Sequence, residues 1–324
     1  MYRNIMMKLL LILFIVSAVK AADPSHILHG LFSDSDQTHV CYGTLNFNTS
    51  QFNIISKLDI NDVGNPKNIK YSILPLTYDP NADVVYMAAP ANDKQTILSV
   101  INAVNGKLIS TYKTLKNSII SLQYDIFQKQ LFAHIDSDKE NVTSIVEIDT
   151  SNGEIKQTLA TIHDMKPTHI SSYCPICRKY FLTMIDGQYS TYVAVNTSNS
   201  GGIDGKTQLN FSPISMRFDY KTFTMYATYI NVSVHFVSSV GVLDQSKGAI
   251  SKVVGDINDD PNVVVTSLST YDIAKGIFYA SIELTGPIVL GVSYVNVDES
   301  DVKLILLPKA NYFSYGWFIK QFVH

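Results

Sequence analysis

A two-residue phrase recurs along this chain at intervals of 46, 49, 45 and 53 residues: Tyr78-Asp79, Tyr124-Asp125, Tyr173-Cys174, Phe218-Asp219 and Tyr271-Asp272. Each copy is followed shortly by an aromatic, strand-like run. A period of this size marks an architecture stacked from one supersecondary unit, and that sets the fold before any single residue does. One copy departs from the phrase, with Cys174 standing where aspartate is expected.

The unit is clearest between residues 118 and 162. Ile119 to Tyr124 alternates as a strand, and Asp125 to Lys129 turns. Leu131 to Ile135 is a second strand, and Asp136 to Glu140 turns again. Val142 to Ile148 is a third strand. Thr150-Ser151-Asn152-Gly153 is a hairpin signal, because Asn-Gly supplies the positive φ of primed turns. Ile155 to Ile162 is a fourth strand. Four short antiparallel strands in about 45 residues make one β-propeller blade. Asn105-Gly106, Ser246-Lys247-Gly248 and Asp298-Glu299-Ser300 fall in the place of Asn152-Gly153 in other copies. The copy opening at Tyr173 is looser, and Thr197 to Gly205, rich in Ser, Asn and Gly, reads as an exposed loop.

The ends complete the pattern. Asp34-Ser35-Asp36 followed by Thr49-Ser50 echoes Asp136-Ser137-Asp138 followed by Thr150-Ser151, so His26 to Ile60 reads as a blade lacking its first strand. Phe313-Ser314-Tyr315-Gly316 aligns with Leu122-Gln123-Tyr124-Asp125 and supplies that strand. Such closure removes free sheet edges, which invite aggregation. The expectation is an all-β propeller of six four-stranded blades, closed by the C-terminal strand joining the N-terminal blade. Seven blades result if residues 59–71 or the end segment hide further strands. Few charges and many aromatics, 19 tyrosines and 15 phenylalanines, suit half-buried strands.

A strand, a Tyr-Asp turn and an aliphatic-aromatic strand resemble the YVTN and NHL class of β-propeller repeats. Val84-Val85-Tyr86-Met87 after Tyr78-Asp79-Pro80 is one such copy, and Gly276-Ile277-Phe278-Tyr279 after Tyr271-Asp272 is another. The resemblance implies a fold. That class includes ligand-binding modules, and the related six-bladed gluconolactonase-like hydrolases use a metal in the central channel. No catalytic motif of those enzymes matches here residue by residue.

Residues 1–21 read as a secretory signal peptide. Arg3 and Lys8 precede an apolar run, Leu9 to Val19, that is too short to span a bilayer, and a small residue, Ala21, precedes the cut. Residues 22–324 then form a single propeller domain, secreted or delivered to an endomembrane lumen, with no membrane span. Without Arg3, Lys8 and Lys20 the 25 basic residues fall to 22 against 28 acidic ones, a net charge of −6. That balance lacks the basic footprint of a nucleic-acid binder.

Candidate site residues follow from position in the repeat. Thr77, Gln123, Ser172, Arg217, Thr270 and Ser314 each precede the aromatic anchor of an innermost strand. They are polar and suit the wall of a central channel, where they would meet a ligand or simply water. Asp79, Asp125, Asp219 and Asp272 read as turn caps rather than channel ligands, because a feature repeated in every blade is structural. Cys174 and Cys177 have the spacing of a redox or zinc half-site but lack further ligands or a helix, leaving a short-loop disulfide or two free thiols. Cys41 reads as a buried small hydrophobe. Asp136, Asp138 and Glu140 offer oxygens to a divalent cation such as calcium, though a solvated acidic turn is the preferred reading. The same holds for Asp256 to Asp260. No cofactor is otherwise implied. The sequons at Asn48, Asn141, Asn196, Asn210 and Asn231 read as glycan acceptors where exposed.

No nucleophile elbow, zinc-protease or phosphate-loop pattern is present. The expected function is therefore a non-enzymatic binding protein for an extracellular protein or glycan. A metal-dependent lactonase- or esterase-like hydrolase is the alternative, and adhesion through self-association is a third reading.

Overall fold

The computed structural model describes residues 27–320 except 34–37, 47–48, 50, 65–73, 93–94, 116, 138, 199–200, 232–236, 258–262, 285–288, 300–301 and 307–312. Residues 1–21, where a signal peptide is expected, lie outside the described residues. Blade 1 contains β1 (Ile27–Ser33), β2 (His39–Asn46) and β3 (Gln51–Asp59), followed by one helical turn, α1 (Ile60–Val63). Blade 2 is β4 to β7 (Leu76–Asp79, Val84–Asn92, Gln95–Asn102, Leu108–Leu115). Blade 3 is β8 to β11 (Ile119–Asp125, Gln130–Asp136, Val142–Ile148, Ile155–His163). Blade 4 is β12 to β15 (Lys166–Cys174, Lys179–Asp186, Tyr189–Asn196, Ile203–Gln208). Blade 5 is β16 to β19 (Pro213–Asp219, Thr224–Asn231, Val237–Asp244, Ala249–Asp256). Blade 6 is β20 to β23 (Val263–Asp272, Ile277–Leu284, Val289–Asn296, Val302–Leu306). The final strand, β24 (Phe313–Phe318), pairs antiparallel with β1 and completes blade 1. Six four-stranded sheets result, and the fold is a six-bladed β-propeller.

The core is divided among the seams between blades. One apolar cluster joins Leu31, Tyr42 and Val63 of the blade 1 side to Val85, Met87 and Ile101 of blade 2. Another joins Tyr86 and Leu98 of blade 2 to Leu122, Tyr124 and Val146 of blade 3. The remaining four seams follow the same plan, ending with Leu28, Phe32 and Cys41 of blade 1 against Tyr279 and Val292 of blade 6. Tyr42, Phe32, Phe132, Tyr180 and Phe278 are fully buried there. Burying a side chain of that size stabilises by roughly 1.5–3 kcal/mol, so each seam is a small core in its own right.

One expectation changes. Residues 197–205 do not form a single loop, because β15 begins at Ile203 and Gly205 pairs with Ala194. This outermost strand has an almost wholly exposed side-chain pattern, so it carries no hydrophobic alternation by which sequence could reveal it.

Candidate functional site

Each repeat aspartate caps a turn, and Asp125 and Asp219 use their second carboxylate oxygen for a different task. Oδ1 caps the turn after its own strand. Asp79 Oδ1 accepts from the Asn81 and Ala82 amides at 2.8 and 3.3 Å, Asp125 Oδ1 from Phe127 and Gln128 at 2.9 Å each, and Asp219 Oδ1 from Lys221 and Thr222 at 2.8 and 3.3 Å. Asp272 Oδ1 accepts from Ala274 and Lys275 at 3.0 and 3.1 Å. The same carboxylates reach the next blade. The Tyr173 hydroxyl donates to Asp125 Oδ2 at 2.7 Å, the Tyr271 hydroxyl donates to Asp219 Oδ2 at 3.1 Å, and the Tyr124 hydroxyl bonds Asp79. Burial, with the neighbouring aspartate adding to it, pushes these three phenols well above their usual range, so they remain neutral donors.

The departures from this rule match one another. Cys174 replaces the aspartate of blade 4, and the blade 5 residue facing that seam is Phe218, which has no hydroxyl to offer. Cys174 Sγ takes over the capping role, accepting the Cys177 amide at 2.9 Å, and Cys174 is disulfide-bonded to Cys177. The short-loop disulfide is therefore part of a turn. Cys41 is buried in the blade 1 and blade 6 seam.

The closing strand has a register of its own. In blade 3, Gln123 pairs with Phe132, whereas in blade 1 the equivalent residue, His29, pairs with Phe318. The position held by Gln123 thus belongs to Phe318, and Ser314 lies farther along β24, opposite Phe32. The phrase Phe-Ser-Tyr-Gly imitates Leu-Gln-Tyr-Asp in sequence, but the hydrogen-bonded register decides which residues meet the channel. Lys320 then stands where other blades carry aspartate. Its ammonium pairs with Asp83 at 2.9 Å, and the Tyr78 hydroxyl donates to the same carboxylate at 2.8 Å. Desolvation would raise the Asp83 carboxyl, but the bonds from Lys320 and Tyr78 outweigh it and hold it below the usual value.

Five of the expected channel residues line one cavity, and the side chain of the sixth, Ser314, lies outside the described residues. Thr77, Gln123, Ser172, Arg217 and Thr270 surround a funnel of about 200 Å³ together with Tyr78, Tyr124, Tyr173, Tyr271 and Phe318. A second cavity of about 80 Å³ lies toward the other end of the channel, and Gln123 and Arg217 line both. Leu76 lines both as well, and the three residues form the septum between them. Arg217 Nη1 donates to the Ser171 and Met216 carbonyls at 3.2 and 2.8 Å, and Nε donates to the Ser269 carbonyl at 3.0 Å, as does Nη2. The guanidinium thus satisfies carbonyls on the free inner edges of three blades, groups that would otherwise lack partners. Gln123 Nε2 donates to Ser171 Oγ at 3.0 Å. Burial pulls the Arg217 pKa down to about 10, and it remains a cation at neutral pH.

The funnel opens on the face carrying the turns between first and second strands. Phe127, Ile176 and Phe223, on those turns of blades 3, 4 and 5, are 47, 51 and 57% exposed. Phe127 meets Tyr220 edge-on with ring centroids 6.1 Å apart. Sequence reasoning missed this rim, although its signal was available: turns are normally polar, and Ile126-Phe127 and Pro175-Ile176 are not.

The other candidates are dispersed. Asp136 Oδ1 accepts from the Ser137 amide at 3.1 Å, Glu140 is exposed, and Asp138 lies outside the described residues. Among the described residues, no three of His, Cys, Asp or Glu are grouped to hold a metal. The run from Asp256 continues beyond the described residues at 258–262. Of the sequons, Asn210 is exposed, Asn141 is partly buried at φ 55°, and Asn196 Oδ1 accepts from the Ser198 amide and hydroxyl at 2.7 and 2.6 Å. Asn48 and the side chain of Asn231 lie outside the described residues. Among the described residues, no helix is long and apolar enough to cross a membrane.

No protein-family model matches the sequence, and no curated protein matches it. Solved structures do resemble it. TolB from Acinetobacter baumannii is similar at a TM-score of 0.59 with 10% identity, covering 90% of this chain and 66% of the TolB chain. A chain of a nidogen/laminin complex is similar at a TM-score of 0.59 with 12% identity, covering 90% of this chain and 97% of that one. The likeness is one of fold. It agrees with the resemblance to propeller repeat proteins and carries no site residue across.

Proposed function

We propose that the protein is a secreted, non-enzymatic binding protein that receives a protein or glycan partner on the face where the funnel opens. The observation behind this reading is apolar turns: Phe127, Ile176 and Phe223 are exposed on consecutive blades, and their turn neighbours Ile126, Pro175 and Tyr220 line an aromatic-walled cavity. Exposed apolar clusters rimming a cavity mark interaction sites. Binding groups commonly sit on turns held by a rigid scaffold, which a closed ring provides. That one similar structure comes from a nidogen/laminin complex is consistent with this architecture meeting a protein. In this reading residues 1–21 are removed and 22–324 form the mature domain. Among the described residues, Asn210, which is exposed, is the sequon best placed to carry a glycan, and loss of a glycosidase-sensitive mass shift in Asn210→Gln checks it.

The competing reading, a metal-dependent lactonase or esterase, needs carboxylates converging in the channel. Here the repeat aspartates are committed to turns and tyrosines, and the funnel wall offers hydroxyls, an amide and a guanidinium. The test is a panel of lactones and esters with the purified mature protein, alongside metal analysis. No turnover and no stoichiometric metal is the expected result. Turnover abolished by Gln123→Ala or Thr270→Val would overturn the proposal.

A further inference from the structure

The funnel has a chemical polarity of its own, and this inference rests on the binding reading above. Its wall is aromatic and apolar: Tyr78, Tyr124, Tyr173, Phe218, Tyr271 and Phe318. Three of those phenols spend their hydroxyls on aspartates between blades, so ring surfaces are what remain for a ligand. Its floor is different. Arg217 brings a full positive charge, and among the described residues no carboxylate lines either cavity or pairs with it. The three carbonyls that Arg217 touches are dipoles and do not neutralise it. Buried charges are normally paired. The Thr77 and Thr270 hydroxyls have no protein partner among the described residues, and Ser172 Oγ accepts from the Phe218 amide, leaving its own proton to give. The floor therefore presents one cation and three hydroxyl donors from four blades, encircled by aromatic rings.

We infer that the funnel binds the carboxylate end of a ligand with an apolar body, the carboxylate meeting Arg217, Thr77, Ser172 and Thr270 and the body lying against the tyrosine ring. The cavity of about 200 Å³ suits one residue-sized group. It is smaller than the roughly 300–1,000 Å³ of drug-sized ligand pockets. The carboxylate can come from a free small acid or from the C-terminus of a protein chain. In both sources the recognised chemistry is the same. The one Arg217 N–H not given to a carbonyl, the second on Nη2, can make a charge-assisted hydrogen bond to the carboxylate, and the unpaired positive charge supplies the selectivity. Burial supports this, since a cation whose pKa is lowered by desolvation regains stability when an anion arrives.

The test is calorimetric titration of the full mature protein with N-acetyl-phenylalanine, its primary amide, its methyl ester, glucuronate, and a peptide ending in a free phenylalanine carboxylate. The acid should bind at least about tenfold more tightly than the amide. Arg217→Gln should erase that preference, and the double variant Thr77→Val with Thr270→Val should reduce it if Arg217→Gln fails to fold. A peptide that binds much more tightly than the free acid identifies a chain terminus as the source, and equal affinity identifies the small acid. Equal binding of acid and amide, no binding of either at millimolar concentration, or tighter binding of glucuronate overturns the inference. Turnover of the ester would instead strike the binding-protein reading itself, whereas failure of the acid to bind without turnover leaves that reading in place.

Discussion

At the scale of single residues, the propeller is held by a carboxylate with two duties and a phenol from the next blade. The pairing explains why Cys174 and Phe218 depart from the repeat together. Restoring one partner alone should cost stability. Phe218→Tyr places a hydroxyl in an apolar seam and should cost about 1–2 kcal/mol. Cys174→Asp, made with Cys177→Ser, should be costly by itself. Combined, they should recover at least about 1 kcal/mol relative to the sum, measured by urea unfolding in a double-mutant cycle. Strict additivity would show that this seam does not follow the aspartate–tyrosine rule. Histidine sets the response to acid. His134 is fully buried, both ring nitrogens lack partners, and burial lowers its pKa from 6.5 to about 3. His29 and His169 are lowered to about 4, again chiefly by burial. The unfolded chain therefore takes up protons below pH 6.5 that the folded chain refuses. Stability should fall as pH drops from 6.5 toward 4, by about 1.4 kcal/mol per pH unit for His134 alone, and flatten once the folded state also protonates. His134→Leu should remove about one proton's worth of that slope in melting temperature against pH. An unchanged slope would place the acid sensitivity elsewhere.

At the scale of elements, the turn between third and fourth strands of one blade leans on the blade before it. The Tyr42 hydroxyl donates to the Ala103 carbonyl at 2.6 Å, Tyr112 to Thr150 at 2.9 Å, and Tyr192 to Gln245 Oε1 at 2.8 Å, each crossing a seam. The glycines in these turns need both their positive φ and the close approach. Gly248 has φ +64°, and a Cβ there would collide with the backbone carbonyl of Gln208 in blade 4. Gly248→Ala should cost about 2–4 kcal/mol by thermal unfolding. Gly205, in the outer strand with open space around it, should tolerate alanine within about 0.5 kcal/mol. Equal effects would mean that blade-to-blade docking is not what fixes the turn. The Asn-Gly pairs made these turns legible in sequence, since they encode a backbone conformation locally. Their contact with a neighbouring blade was not legible, because it depends on how two units pack. The same distinction separates Thr77, Gln123, Ser172, Arg217 and Thr270, found by repeat position, from Phe318, whose place depends on a hydrogen-bonded register across the ends of the chain. Arg217 was visible as a polar residue in an apolar strand, but its reach across three blades was not.

At the scale of the whole molecule, six equivalent seams make a ring, and blade 1 is itself completed by β24 pairing with β1. The Tyr78–Asp83–Lys320 cluster lies beside that strand and ties blade 1 to blade 2. Deleting residues from 313 onward should leave the β1 edge unpaired and blade 1 without its inner strand. The expected result is loss of a single cooperative unfolding transition and concentration-dependent association in sedimentation. A cooperative, monomeric truncated protein would show that closure is dispensable. Lys320→Ala, by contrast, removes a partly exposed ion pair and should cost no more than about 1 kcal/mol.

The pairing of β24 with β1 also imposes an order in time. During synthesis, Ile27–Ser33 emerges first and must wait for Phe313–Phe318, almost the whole chain later. At about 5–20 residues per second that wait is on the order of tens of seconds. Throughout it, the earliest-made sheet presents an open edge while later blades can already zip up within themselves. The nascent chain's period of greatest need for a chaperone is therefore set by the speed of the ribosome, and it ends only when residue 318 arrives.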